Sequence, residues 1–335
     1  MSESKAGSNV VSAAIFYFLN ILLLPVSLLG YVIMVWGMYV SGRRSGVSKT
    51  AQALLSSRCF QHILGVRQDE ASYRVMKIMP EMPYLGLVVA FAPLWLAHRL
   101  TGFVPKTFRY PFEGEITLQI EPSARVWFFD NVVDRHLAGI RQFVILGAGF
   151  DTRACRLPEG NPVRCFEVDT PKTQAIKRKL LEKAGVDASR VTFVSADFEK
   201  EDWLNRLVEA GFDSRKPTLF LWEGVILYLD RESVESTLRK IAGTAEGSVV
   251  AFDYLTKDTL ESRSLYMRYA RAAAKAAGEL FKFGIDSTPP LRQRTVEFLG
   301  TCGLTLGDHR TLGKETDGER AWGGFATAIV GSTRK

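Results

Sequence analysis

At 335 residues, with 47% apolar and 24% charged side chains, the chain is long enough for one large domain or a domain with an appendage, and its composition excludes global disorder. A formal charge of +7 suits a surface facing anionic lipid or another acidic partner, and equally a solvated basic surface. Zinc-finger spacing, a basic arm and an arginine–glycine tract are missing, which argues against a nucleic-acid partner, and Cys59, Cys155, Cys165, Cys302 and the four histidines are too scattered for a disulfide framework or a metal site.

The first feature along the chain is an apolar run. Nothing from Ala6 to Gly42 is charged, and the densest part extends from Val11 to Val40. A helix needs about 20 apolar residues to cross the hydrocarbon layer. A cleaved signal would have a shorter apolar part with basic residues before it, whereas here Arg43 and Arg44 follow it. Residues 1–45 are therefore expected to be a membrane anchor, a single transmembrane helix with the globular bulk on the cytoplasmic side. Residues 46–114 read as a helical lid or interfacial region. Its apolar stretch Tyr84–Ala97 holds Pro93 and is short for a span; Phe103, Phe108, Tyr110 and Phe112 then alternate with Lys106 and Arg109, a mixture found at membrane interfaces and in ordinary loops.

From about residue 115 to 335 strands and helices alternate, which predicts an α/β domain with a mostly parallel sheet covered on both faces. Strands are expected at Gln142–Leu146, Val163–Val168, Val191–Ser195, Thr218–Trp222 and Ser248–Tyr254, with Leu304–Leu312 and Ala321–Gly331 as a closing pair. Helices are expected at Arg125–Ala138, Pro171–Ala184, Glu199–Ala210, Arg231–Ala242, Leu260–Phe281 and Arg292–Gly300.

Chemistry gathers where those strands end. Gly147 and Gly149 form a turn after the first strand, of the kind that lets backbone approach a ligand. The third glycine of a dinucleotide fingerprint is absent, since Thr152 stands there, and Asp151 puts negative charge where a pyrophosphate would lie. A cationic, phosphate-free ligand fits better, and S-adenosylmethionine, with its sulfonium, ammonium and carboxylate, is one. Asp169, 20 residues after Gly149, ends the second strand and suits a ribose diol, or a helix cap before Pro171. Asp197 and Phe198 follow the third strand and suit the amine and face of adenine, or again a cap. Glu223 ends the fourth, where its buried carboxylate needs the cofactor ammonium or a nearby basic group.

Together, Val47-Ser48-Lys49-Thr50-Ala51, Gln142 through Leu157, Phe166 through Pro171, Ala196-Asp197-Phe198, Pro217 through Leu229 and Phe252-Asp253-Tyr254 resemble the leucine carboxyl methyltransferase family, which includes polyketide carboxyl O-methyltransferases. The resemblance implies a class I methyltransferase fold, a Rossmann-like seven-stranded sheet with its last strands reversed, and cofactor contacts at Gly147, Asp169, Asp197, Phe198 and Glu223. It also implies that Arg125, on the helix before the first strand, holds the cofactor carboxylate through a bidentate pair. Two departures from the family are the apolar N-terminal run and the poor match over 60–115, where family members shape the acceptor pocket. The expected activity is S-adenosylmethionine-dependent O-methyl transfer to a carboxylate, or a hydroxyl, of a lipophilic or membrane-associated small molecule or protein. A carboxylate needs no general base, and no histidine or lysine base stands out in the matching segments. The alternative is a membrane-tethered, non-catalytic module on the same scaffold. Tyr228, Asp253 and Tyr254 are further candidates for the pocket, or for the core.

Overall fold

The computed structural model describes residues 2–41, 49–80, 82–316 and 318–331. Arg43, Arg44, Val47 and Ser48, used above, lie outside them. The catalytic-type domain is built on seven strands: β1 (Gln142–Leu146), β2 (Arg164–Asp169), β3 (Val191–Ser195), β4 (Thr218–Trp222), β5 (Val249–Leu255), β6 (Thr305–Leu312) and β7 (Gly323–Ile329). Their spatial order is β3-β2-β1-β4-β5-β7-β6. The first five are parallel, and β7 is antiparallel to both β5 and β6. Of the closing pair only β7 is reversed: β6, antiparallel to β7, runs in the direction of the first five, so the expectation of reversed last strands holds for β7 alone.

Every residue of β1 and β4 is buried, as strands covered on both faces should be. Alternate residues serve the two faces. Val144, Leu146, Phe220 and Trp222 join one core layer, and Phe143, Ile145, Leu219 and Leu221 the other. The chain runs outward from β1 to β3 and then crosses back to β4. That leaves a crevice beyond the carboxyl ends of β1 and β4, the place where open α/β sheets bind ligands.

The helices are α1 (Ser2–Leu22), α2 (Leu24–Ser41), α3 (Lys49–Ile63), α4 (Glu70–Lys77), α5 (Tyr84–Thr101), α6 (Glu121–His136), α7 (Pro171–Lys183), α8 (Trp203–Glu209), α9 (Arg231–Ala242), α10 (Lys257–Glu261), α11 (Leu265–Ala277) and α12 (Leu291–Thr301). Differences from the expected bounds have local causes. α6 begins at Glu121, with Pro122 in its first turn. α8 begins at Trp203 rather than 199 because Asp202 accepts from the backbone N–H of Leu204 and Asn205. The helix expected over 260–281 is two, and Ser264 caps the second by accepting from Met267 N–H.

The apolar run is not one continuous helix. Its segments Val10–Leu22 and Leu24–Gly37 are bent by 58° at Leu23 and reach spanning length and apolarity only when taken together. Among the described residues α5 alone meets that measure by itself; it continues through Pro93 to Gly102, whose φ of 66° ends it. α2 and α5 pack antiparallel and very closely. A Cβ on Gly30 would fall 2.1 Å from Ala90 N, and one on Gly86 2.5 Å from Met34 N. α3, α4 and α5 form a separate apolar layer, with Leu55, Met76 and Leu87 packed on Phe150 and on Leu180 and Leu181 of α7. These helices lie within the region 46–114, here termed the lid, and α3 is the one that lies over the sheet edge.

Candidate cofactor pocket

A cavity of about 290 Å³ opens over the crevice, walled by the strand ends below and by Ala51, Leu54 and Arg58 of α3 above. Gly147, Gly149, Asp151, Asp169, Asp197, Phe198 and Glu223 all line it. These seven expected residues come from four different strand ends, and the sheet brings them together.

The glycine turn has the predicted geometry. Gly147 and Gly149 have φ of 66° and 46°, values that side chains resist. A Cβ at Gly147 would fall 2.4 Å from Val225 Cγ2. The N–H groups of Gly147 and Ala148 both donate to Val168 O, and Gly149 N–H donates to Asp169 Oδ2 at 2.7 Å. Asp169 Oδ1 accepts from Thr170 N–H. Burial raises the Asp169 carboxyl above its usual range, against these two backbone bonds. Its second lone pairs remain directed by a fixed frame, which a ribose diol needs. Asp197 accepts from Glu199 N–H and from Lys200 Nζ at 2.8 Å. Asp197 thus lines the cavity and braces a turn, but it caps no helix as the alternative had it, because α8 begins only at Trp203 and is capped by Asp202.

The basic end of the pocket differs from expectation. Arg125 does not line the cavity. It pairs with Glu121 and, at 3.3 Å, with Asp253, whose other oxygen accepts from Gly224 N–H. Arg125 and Asp253 therefore support the turn after β4 from behind. The arginine in the wall is Arg58 on α3, with Nη2 2.7 Å from Glu223 Oε2 and 3.0 Å from Asp151 Oδ2. Asp151 is likewise less a ligand than a strut: Arg153 Nη1 lies 2.5 Å from its Oδ2 and 2.5 Å from Glu223 Oε2, and Lys177 Nζ donates to its backbone carbonyl. Burial would raise the Asp151 carboxyl, but Arg153, Arg58 and Lys177 outweigh it and hold it far below the usual range. The cluster continues through Arg153 to Asp130 and from there to Arg67 and Asp69 of the lid.

Thr152, which stands where a dinucleotide site has glycine, is buried, and its hydroxyl donates to Asp69 Oδ1 at 3.0 Å. Only a three-residue 3₁₀ turn, Ala154–Arg156, follows the glycine turn, so no long helix aims its N-terminus at the cavity from there, as a pyrophosphate would need. Tyr228 lines the pocket, whereas Tyr254 is core and bonds to Thr295 and His309.

The residues fit S-adenosylmethionine. Strand ends spaced by about 4.8 Å set Asp197, Asp169, the glycine turn and Glu223 in a row roughly 14 Å long, the layout of a nucleoside with an amino-acid tail. At the tail end, Glu223 Oε1 and Arg58 Nε are buried without a hydrogen-bond partner among the described residues. Buried polar atoms of this kind are costly unless a ligand satisfies them; an ammonium suits the first and a carboxylate the second. No group of three or more His, Cys, Asp or Glu among the described residues is arranged to hold a metal ion.

Sequence reasoning passed over Arg58 and the role of Arg153. Arg153 lay within the quoted turn motif. Arg58 carried no local signal, because its partners are 93 and 165 residues away.

Comparison with known proteins finds methyltransferases. The family description "Leucine carboxyl methyltransferase" matches residues 113–242, which include the glycine turn, Asp169, Asp197 and Glu223. Three similar proteins carry the name "Putative S-adenosyl-L-methionine-dependent methyltransferase". The one from Saccharopolyspora erythraea is 34% identical over 62% of this chain and 68% of its own length. That from Parafrankia sp. is 35% identical over 58% and 59%, and that from Streptomyces coelicolor 39% identical over 44% and 51%. The chain thus spans little more than half the length of the latter two.

Proposed function

The chain belongs to the leucine carboxyl methyltransferase family, and from that premise we propose that it methylates a carboxylate oxygen of an apolar acceptor, using S-adenosylmethionine. The observation that carries this reading is the row of cavity-lining groups ending at the Arg58–Glu223 pair. Arg58 would hold the cofactor carboxylate, Glu223 its ammonium, Asp169 the ribose, and Asp197 with Phe198 the adenine. The sulfonium supplies a methyl group on a good leaving group. The protein's contribution is alignment and exclusion of water.

The acceptor class follows from what the walls offer. Among the described residues no histidine, lysine or cysteine lines the cavity, which suits an oxygen already ionised at neutral pH. Leu54, Val225, Tyr228 and Leu229 line the same cavity and would give an acceptor carboxylate an apolar surround. As the new C–O bond forms, the C–S bond breaks and its electron pair goes to sulfur; no proton moves.

The test has two stages. Calorimetry should show S-adenosylmethionine and its demethylated product binding to the purified chain. Tritiated cofactor, incubated with the enzyme and a lipid-soluble extract, should then label a product that releases volatile radioactivity on mild alkali, as methyl esters do and methyl ethers do not. Alkali-stable label would replace the carboxylate with a hydroxyl, and failure to bind either cofactor form would leave a non-catalytic scaffold.

A further inference from the structure

Twenty of the 29 exposed large apolar side chains among the described residues lie on α1, α2 and α5. On α2 the arrangement is the reverse of a soluble helix. The residues turned inward recur at 27, 30, 33, 34 and 37, and they include Ser27, Gly30 and Gly37. The outward ones include Leu29, Val32 and Trp36, which are 58%, 62% and 69% exposed. Small residues at the helix contact and large apolar ones outside describe a helix pair held by close packing rather than by hydrophobic burial, as in lipid.

The chain's path limits how deep this lobe can go. Phe91, midway along α5, stacks on Phe60 of the lid with centroids 3.7 Å apart. Phe108, beyond α5, packs on the same Phe60 ring at 6.0 Å. The chain therefore leaves and returns on one side. From Phe91 to Thr101 the helix advances roughly 15 Å, about half of the roughly 30 Å hydrocarbon thickness. α1 is held to the same region, because Phe16 packs on Phe103 at 5.1 Å. Lys106 and Arg109, both exposed, flank the returning segment.

We propose that α1, α2 and α5 form a monotopic lobe that enters one leaflet of a lipid bilayer, in place of a single crossing. The exposed cations Lys106 and Arg109 meet anionic headgroups. The lobe touches α3, the roof of the pocket, through Phe91–Phe60, which sets the pocket over the membrane surface. This proposal rests on the reading of the acceptor as apolar but not on the identity of the reaction.

The full chain, added to phosphatidylcholine vesicles with and without phosphatidylserine, should co-sediment with both, at least ~10-fold more tightly with the anionic lipid at low salt. L29D combined with V32D should weaken vesicle binding at least ~10-fold while leaving cofactor affinity unchanged, which also shows that the variant is folded. Nitroxide labels at positions 22, 29 and 96 should all lie within one leaflet. Labels that pass the midplane and emerge on the far side would overturn the proposal in favour of a single crossing. Cofactor binding without vesicle binding, together with concentration-dependent dimers, would overturn it in favour of self-association. Vesicle binding without cofactor binding would sink the methyltransferase reading and leave the lobe standing.

Discussion

Arg58 Nη2 lies 2.7 Å from Glu223 Oε2, so a buried ion pair joins the helix roofing the pocket to the strand end that floors it. Both side chains are almost wholly withdrawn from water, where an abandoned charge is costly. Replacing Arg58 with Leu leaves Glu223 and Asp151 still paired to Arg153. The stability loss should therefore fall below the ~3–5 kcal/mol typical of a broken buried pair, at about 1–3 kcal/mol. Cofactor affinity should fall at least ~10-fold, about 1.4 kcal/mol or more, with Arg58→Lys in between because it keeps charge but loses the fork. Calorimetry and thermal unfolding measure the two effects; cofactor affinity that is unchanged in a folded Leu variant would remove Arg58 from the site.

Asp169 makes a second, separable prediction. Its carboxylate accepts from Gly149 and Thr170 N–H. Asp169→Ala orphans both donors and should cost about 1–3 kcal/mol of stability. It also removes the ribose acceptor, so cofactor affinity should drop by ~10–100-fold, about 1.4–2.8 kcal/mol. Asp169→Asn keeps one acceptor oxygen and should recover most of the stability but little of the affinity. If the two variants lose stability and affinity in the same proportion, Asp169 is only a brace for the turn.

Much of this was legible in the sequence where the signal was local. The bounds of β1, β3 and β4 follow from short apolar runs ended by glycine or acidic residues, and Asp230 announced α9 by capping it. The seven cavity-lining residues were readable because each lies at a strand's carboxyl end or within five residues of it, and parallel topology puts all such positions on one edge. The basic end was not readable. Choosing between Arg125 and Arg58 requires knowing which helix lies over the crevice, and that is fixed by packing of the lid, not by spacing along the chain. The break at Leu23 was hidden for the same reason. Composition measures how apolar a run is, while the bend is visible only in how α1 and α2 lie against α5.

Two buried groups predict opposite limbs of a stability–pH curve. His309 is pulled down from an ordinary 6.5 to about 4 by burial, with Arg292 adding to it, and its Nε2 is 2.8 Å from the Tyr254 hydroxyl. The unfolded chain takes up this proton first, so stability is present above pH 6.5 and is lost as pH falls toward 4. Burial raises Glu167 from 4.5 to about 7, against Lys177 at 2.6 Å. Here the folded state binds the proton more tightly, so stability declines as pH rises from 4.5 through 7. Melting temperatures across this range should fall less steeply on the acid side in His309→Gln and less steeply on the alkaline side in Glu167→Gln, the remaining slope coming from other groups that burial shifts the same way, such as His136, Glu121 and Asp253. A variant whose profile parallels the parent's would show that its group does not titrate with folding.

The glycine turn gives the sharpest steric prediction. Gly147→Ala faces two penalties: a φ of 66°, which alanine resists, and a Cβ placed 2.4 Å from Val225 Cγ2. Together these should cost about 1–3 kcal/mol of stability. They should also cost more than that share of cofactor binding, because the displaced turn carries Gly149 N–H away from Asp169 Oδ2. The two penalties separate by adding Val225→Ala, which removes the clashing methyls but leaves the backbone conformation unfavourable. The double variant should regain part of the lost stability and part of the affinity. Full recovery would mean that the turn tolerates alanine's backbone and that only the clash matters. No recovery would mean that the left-handed conformation at Gly147 is by itself what holds the turn in place.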